Sequence, residues 1–169
     1  MTDVKRILVP LDFSASSRAA FRQAVMLAAR FEAHIDVLHV WEPSPVVAPD
    51  QMQWLGGDAD SFWRNLSDDL KKRLDEVVAE EAPAGDTSID VSVEAGYVAH
   101  TILKRIEKGA YDLVVMGTHG RRGLSHVLVG SVAERVVRLS SVPVLTVHTP
   151  RPAKEKAKAH TPSPAAPRG

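Results

Sequence analysis

The chain has 169 residues, 44% of them apolar and 25% charged, enough for one domain with a sizeable core and short for two. Lys plus Arg number 21 and Asp plus Glu number 21, so no global basic excess is available to hold a nucleic acid backbone or an anionic membrane. The absence of Cys excludes disulfides, thiol nucleophiles and thiolate metal sites and suits a reducing compartment. No stretch approaches the roughly 20 apolar residues of a membrane span. The opening MTDVKRILVPLD leads straight into a strand-like run instead of a signal-peptide pattern. A cytoplasmic protein with no membrane or nucleic-acid partner is the expectation.

Apolar runs of strand length alternate with amphipathic stretches of helical length. The first strand is read at Ile7 to Leu11 and runs into Pro10-Leu11-Asp12-Phe13-Ser14. A helix follows, with Phe21, Ala24, Val25 and Ala28 on one face and Ser14 or Ser16 placed to cap it. The second strand spans Ile35 to Trp41. Residues 42–58, with Pro43, Pro45, Pro49, Gly56 and Gly57, form the one long irregular connection, placed where a lid over a ligand crevice would sit.

The second helix carries Trp63, Leu66, Leu70, Leu74, Val77 and Val78, and Ile89 to Ala95 is the third strand. The third helix carries Val98, Ile102, Leu103 and Ile106 and stops at Gly109. Leu113 to Met116 is the fourth strand; the fourth helix carries Val132, Ala133, Val136 and Val137, and Val142 to Val147 is the last strand. Strands joined by helices of this length are parallel, and their near-continuous apolar character requires cover on both faces. The expected fold is therefore an open, doubly wound α/β sandwich with five parallel strands.

In such a sheet a ligand binds beyond the carboxyl ends of the strands, where the winding direction reverses. Two strand ends carry chemistry: Pro10-Leu11-Asp12 after the first and Met116-Gly117-Thr118-His119-Gly120 after the fourth. After Gly120 come nine residues and then Gly130-Ser131, which opens an apolar-periodic helix. Glycines that allow close backbone approach, delivering a helix N-terminus with free amides at Ser131 and Val132, suit a phosphate, and Arg121 and Arg122 add positive charge. Glycine spacing alone is equally compatible with a surface turn and a capped helix, and Asp12 with a helix N-cap. Neither G-x-x-x-x-G-K-[ST] nor G-x-G-x-x-G after the first strand occurs, which argues against P-loop hydrolases and Rossmann dehydrogenases.

Four segments together resemble the universal stress proteins, specifically their ATP-binding branch. They are P-L-D-x-S after the first strand, D-L-V-V-M-G-T-H-G at the fourth, the G-x-x-G-(nine residues)-G-S spacing, and the closing S-V-P-V-L-T-V. The resemblance spans residues 4–148 and implies a sheet in the order 3-2-1-4-5, so that the first and fourth strands flank the switch point. It implies Asp12 beside adenine and ribose, Pro10 and Leu11 as crevice wall, and backbone hydrogen bonds from Val40 to the adenine. It further implies Met116 and Gly117 lining the nucleotide, Gly120 close to the phosphates, Gly130, Ser131 and Val132 holding them, and His119 setting local backbone geometry. Mg²⁺ would accompany ATP on its phosphates. Pairing of a second copy along the edge strand Val142 to Val147 is also implied.

Phosphoryl transfer needs a group to orient the attacking oxygen and positive charge at the transferring phosphoryl. Arg121, Arg122 and His126 lie in the right segment, but no catalytic base stands out. His119 and His126 lack zinc spacing, so neither catalytic nor metal-ligating residues are assigned. The expectation is an ATP-binding stress-response switch with slow hydrolysis at most and an unidentified protein partner; a nucleotide-free dimeric interaction module and a low-turnover ATPase are the competing readings. Residues 1–149 form the domain. Residues 150–169 hold five Pro and five basic residues against one acidic and no branched apolar or aromatic side chain, so they read as a disordered basic tail.

Overall fold

The computed structural model describes residues 3–42, 59–82, 87–118 and 130–149. The proline-rich connection after Glu42, the segment holding His119, Gly120, Arg121, Arg122 and His126, and the basic tail lie outside the described residues. Five strands, β1 (Arg6–Pro10), β2 (His34–Trp41), β3 (Ile89–Ala95), β4 (Leu113–Gly117) and β5 (Val144–Val147), alternate with four helices. The helices are α1 (Ala15–Phe31), α2 (Ala59–Glu81), α3 (Val98–Lys108) and α4 (Ser131–Leu139). All strand pairs are parallel and the sheet order is β3-β2-β1-β4-β5, the order the resemblance implied.

Alternation along each strand explains the two layers of helices. Ile7, Val9, Leu11, Ile35, Val37 and Val115 face one side and pack with Phe21, Ala24 and Ala28 of α1 and Leu74 and Val77 of α2. Leu8, Leu38, Val114 and Met116 face the other and pack with Ile102 and Ile106 of α3 and Ala133 and Val136 of α4. Neither face can be left in water, because each fully buried side chain of this size contributes about 1.5–3 kcal/mol. Among the described residues no helix is long and apolar enough to cross a membrane.

Two sequence expectations shift, and an open alternative is resolved. Strand β5 begins at Val144 and not at Val142, because the Ser140 hydroxyl accepts from the Val142 amide at 3.2 Å and donates to the Val142 carbonyl at 2.8 Å. That local turn, followed by a proline without an N–H, delays the ladder. Val137 is half exposed, while Ala133 and Val136 make the buried stripe of α4. Of the two candidate caps for α1, Ser14 takes the role, its hydroxyl accepting from the Ser17 amide at 3.1 Å. Ser16 is buried instead.

Candidate functional site

The ladder between β1 and β4 is short: its register pairs are Ile7↔Leu113 and Leu8↔Val114. Beyond that point β1 stays paired with β2 to Pro10↔Leu38, and β4 stays with β5 to Gly117↔Val147. The register between the two strands thus stops short of their carboxyl ends, at the point where the sheet changes winding direction and where open α/β sheets take their ligands.

Residues from three elements converge on one face of the sheet here. Val40 from β2, Met116 from β4 and Val132 from α4 belong to one apolar cluster with Leu8 and Leu38. Leu11 is placed differently. Its side chain is buried on the opposite face of the sheet, under α1, so only its backbone is available to the crevice. Ser131 and Val132 border a surface depression of about 430 Å³ together with Glu42, Tyr97 and Arg135. The Glu42 carboxylate accepts from the Val98 amide at 3.3 Å and so steadies the start of α3 from the end of β2.

Helix α4 starts on Gly130, which has no side chain to cap it, in extended conformation (φ −67°, ψ 154°). The Gly130 amide donates to the Thr118 carbonyl at 2.6 Å. This bond ties the end of β4 to the start of α4. Thr118 is anchored in turn: its amide donates to the Val147 carbonyl at 3.0 Å, and its hydroxyl lies 3.2 Å from His148 Nδ1.

Asp12 is half-buried and forms a turn of its own. Its Oδ1 accepts from the Ser14 amide at 3.1 Å, and its amide donates to the Ser17 hydroxyl at 3.3 Å. Since Ser14 caps α1, the carboxylate of Asp12 is not the cap. Gly117 has a packing role. A Cβ there would lie 2.4 Å from Ser16 Oγ and 2.7 Å from the Ser16 carbonyl carbon, so β4 and the first turn of α1 approach this closely only with glycine.

At the amino-terminal end of the sheet, His34 Nε2 lies 3.2 Å from Asp90 and 3.7 Å from Asp36. These three groups bring ligand-type atoms within 4.8 Å of one another, and Asp36 also accepts from Arg6 Nε at 2.7 Å. The hydrogen bond to Asp36 is the first cause raising the Arg6 guanidinium above its ordinary pKa. Spacing within one strand could not disclose this cluster, because β2 and β3 supply it jointly. Sequence reading also passed over His39, Glu42 and His148, whose partners lie far away along the chain.

The profile of the universal stress protein family matches residues 3–148. The chain belongs to the universal stress protein family. Universal stress protein MJ0531 of Methanocaldococcus jannaschii is 35% identical over 150 residues, covering 87% of this chain and 84% of that relative. The solved structure of universal stress protein UspA from Lactobacillus plantarum has a TM-score of 0.65 at 27% identity, covering 87% of this chain and 99% of that one. Two more distant structures share the fold. A universal stress protein in complex with cAMP has a TM-score of 0.59 at 22% identity, covering 87% of this chain and 98% of that one. An Arabidopsis thaliana universal stress protein family member with AMP bound has a TM-score of 0.54 at 18% identity, covering 92% and 97%.

Proposed function

We propose that this universal stress protein binds an adenine nucleotide, ATP in the cell, in the crevice between β1 and β4, and acts in the cytoplasm as a nucleotide-dependent switch. One observation carries the reading: the register of β1 with β4 ends at Leu8↔Val114, and a glycine-led helix start is tied to the end of β4 through Gly130 and Thr118. Backbone amides at a helix N-terminus favour an anion, and the missing Cβ at Gly130 lets a phosphate approach. The cAMP and AMP named for two relatives share adenosine and one phosphate, which supports the nucleotide class. The choice of ATP rests on the complete glycine pattern of the motif.

In this reading Asp12 faces adenine and ribose, and Pro10, Leu11 and Val40 contribute through backbone. Met116 and Gly117 line the nucleotide, and Gly130, Ser131 and Val132 hold phosphate. His119, Gly120 and Arg121 complete the motif from outside the described residues. Amide and hydroxyl donors suit phosphate oxygens and offer no cage for a cation, so Mg²⁺ would ride on the phosphates with much of its own water. Bound nucleotide changes the partner-facing surface by favouring one conformation over another. No residue is assigned as a catalytic base, so turnover is slow at most. A second copy of the chain pairs antiparallel along the edge strand β5.

Calorimetric titration with ATP, with and without Mg²⁺, tests the reading. We expect saturable binding near one nucleotide per chain, abolished in Gly130→Trp, whose indole fills the phosphate position. Folded wild-type protein that takes up no nucleotide would move the weight to a nucleotide-free interaction module.

A further inference from the structure

His39 is a buried, titratable side chain in the middle of an apolar strand, and the site described above does not use it. It lies on the α1 and α2 face of β2 and is 4% exposed. Its Nδ1 sits 2.7 Å from the Leu11 carbonyl oxygen. A carbonyl only accepts, so Nδ1 carries the proton. The imidazole also meets the Phe13 ring, with centroids 4.7 Å apart and planes at 44°. The two residues it grips are those on either side of Asp12.

The grip falls where the sheet stops holding the chain. The Leu11 amide still donates to the Leu38 carbonyl at 2.9 Å, but the register of β1 with β2 ends at Pro10↔Leu38. The next carbonyl, that of Leu11, belongs to a residue only 2% exposed and takes its donor from a side chain of β2. One residue beyond Asp12, Phe13 adopts φ +67°, the left-handed region that a bulky side chain rarely enters. Such a conformation persists only where its surroundings impose it. The ring meets His39 on β2, and the Arg73 guanidinium of α2 lies 4.6 Å from its centroid.

We infer that His39 is a positioning residue for the nucleotide site: by donating to Leu11 and packing on Phe13 it fixes the backbone that aims Asp12 into the crevice. The inference rests on the nucleotide reading above and goes beyond it by naming a residue that touches no ligand. Histidine suits the position because it combines a donor at Nδ1 with a flat ring. Phenylalanine would keep the ring without the donor, and asparagine would keep a donor branching from the same Cγ without the ring.

The test measures ATP affinity by calorimetry on folded His39→Phe and His39→Asn, beside Val37→Ala as a control for general destabilisation. Val37 is fully buried on the same strand and the same face, and its truncation loosens the core while His39 keeps both its donor and its ring. We expect a dissociation constant raised tenfold or more in His39→Phe, recovered to within about threefold in His39→Asn, and within twofold of wild type in Val37→Ala. Imidazole nitrogen shifts in the wild-type protein, which need no nucleotide, should show His39 protonated at Nδ1. Wild-type binding with His39→Phe unaffected, or affinity falling equally in Val37→Ala, would overturn the positioning role and leave the nucleotide site standing. An Nε2–H tautomer would overturn it as well. A wild type that does not bind ATP would overturn the nucleotide reading and the positioning role with it.

Discussion

Gly117 illustrates how one residue in a functional motif is constrained first by packing. Its place in the glycine pattern suggests a ligand contact, yet the space a side chain would need is taken by Ser16 at the start of α1. Two of the three closest atoms there are the Ser16 carbonyl carbon and oxygen, at 2.7 and 2.9 Å, so rotating the serine side chain would not relieve the clash. Gly117→Ala should therefore displace the first turn of α1 and lower stability by about 1–3 kcal/mol, the usual range for overpacking. A urea midpoint equal to wild type would show that α1 has room to move. Asp12 and Ser14 carry a related lesson. Both residue types cap helices, and sequence could not say which does so here. The backbone places the Ser14 hydroxyl on the Ser17 amide and turns Asp12 onto the Ser14 amide.

At the scale of elements, helices α1 and α2 are joined across their surfaces by charge as well as by the core below. Arg22 reaches the Glu81 carboxylate at 2.7 Å and Arg18 reaches it at 3.4 Å, with Glu80 on Arg18 at 2.9 Å. The hydrogen bond from Arg22, more than any other cause, holds the Glu81 carboxyl below its ordinary pKa. A carboxyl depressed on folding stabilises the protein above the ordinary glutamate range, near 4.3, and that contribution disappears as pH falls below it. Arg22 is about half exposed, so the contribution is only about 0.5–1 kcal/mol. Glu81→Gln should lower the stability measured in urea by that amount at pH 7 and converge on wild type as pH falls through the depressed range of the folded carboxyl. A gap that persists in acid would assign the effect to packing. The helices themselves were readable from apolar spacing. Their charge pairing was not, since its partners lie some sixty positions apart.

For the whole molecule, sheet order decides what is available for binding. Placing β1 and β4 side by side in the centre puts the reversal of winding between them, and the same order leaves β5 at an edge with Leu145 40% exposed. An apolar edge strand is a liability unless something covers it. For the dimer proposed along β5, sedimentation should give twice the chain mass at micromolar concentration, and Leu145→Lys should give the monomer mass while the fold persists. A wild-type monomer would remove the dimer from the proposal.

From the sequence alone came the alternation of strands and helices, the two apolar faces of the sheet and the glycine-spaced segment after β4. These follow from local periodicity and local backbone chemistry, which neighbouring residues determine among themselves. The order 3-2-1-4-5 entered through resemblance to a family, since hydrophobic alternation does not say which strand lies beside which. Only the tertiary structure decided that the register of β1 with β4 ends after two pairs, that Leu11 turns into the core while Met116 and Val132 meet on the other face, and that His39 holds the turn beside Asp12. Each depends on contacts between distant segments, whose geometry exists only once the chain has closed around its core.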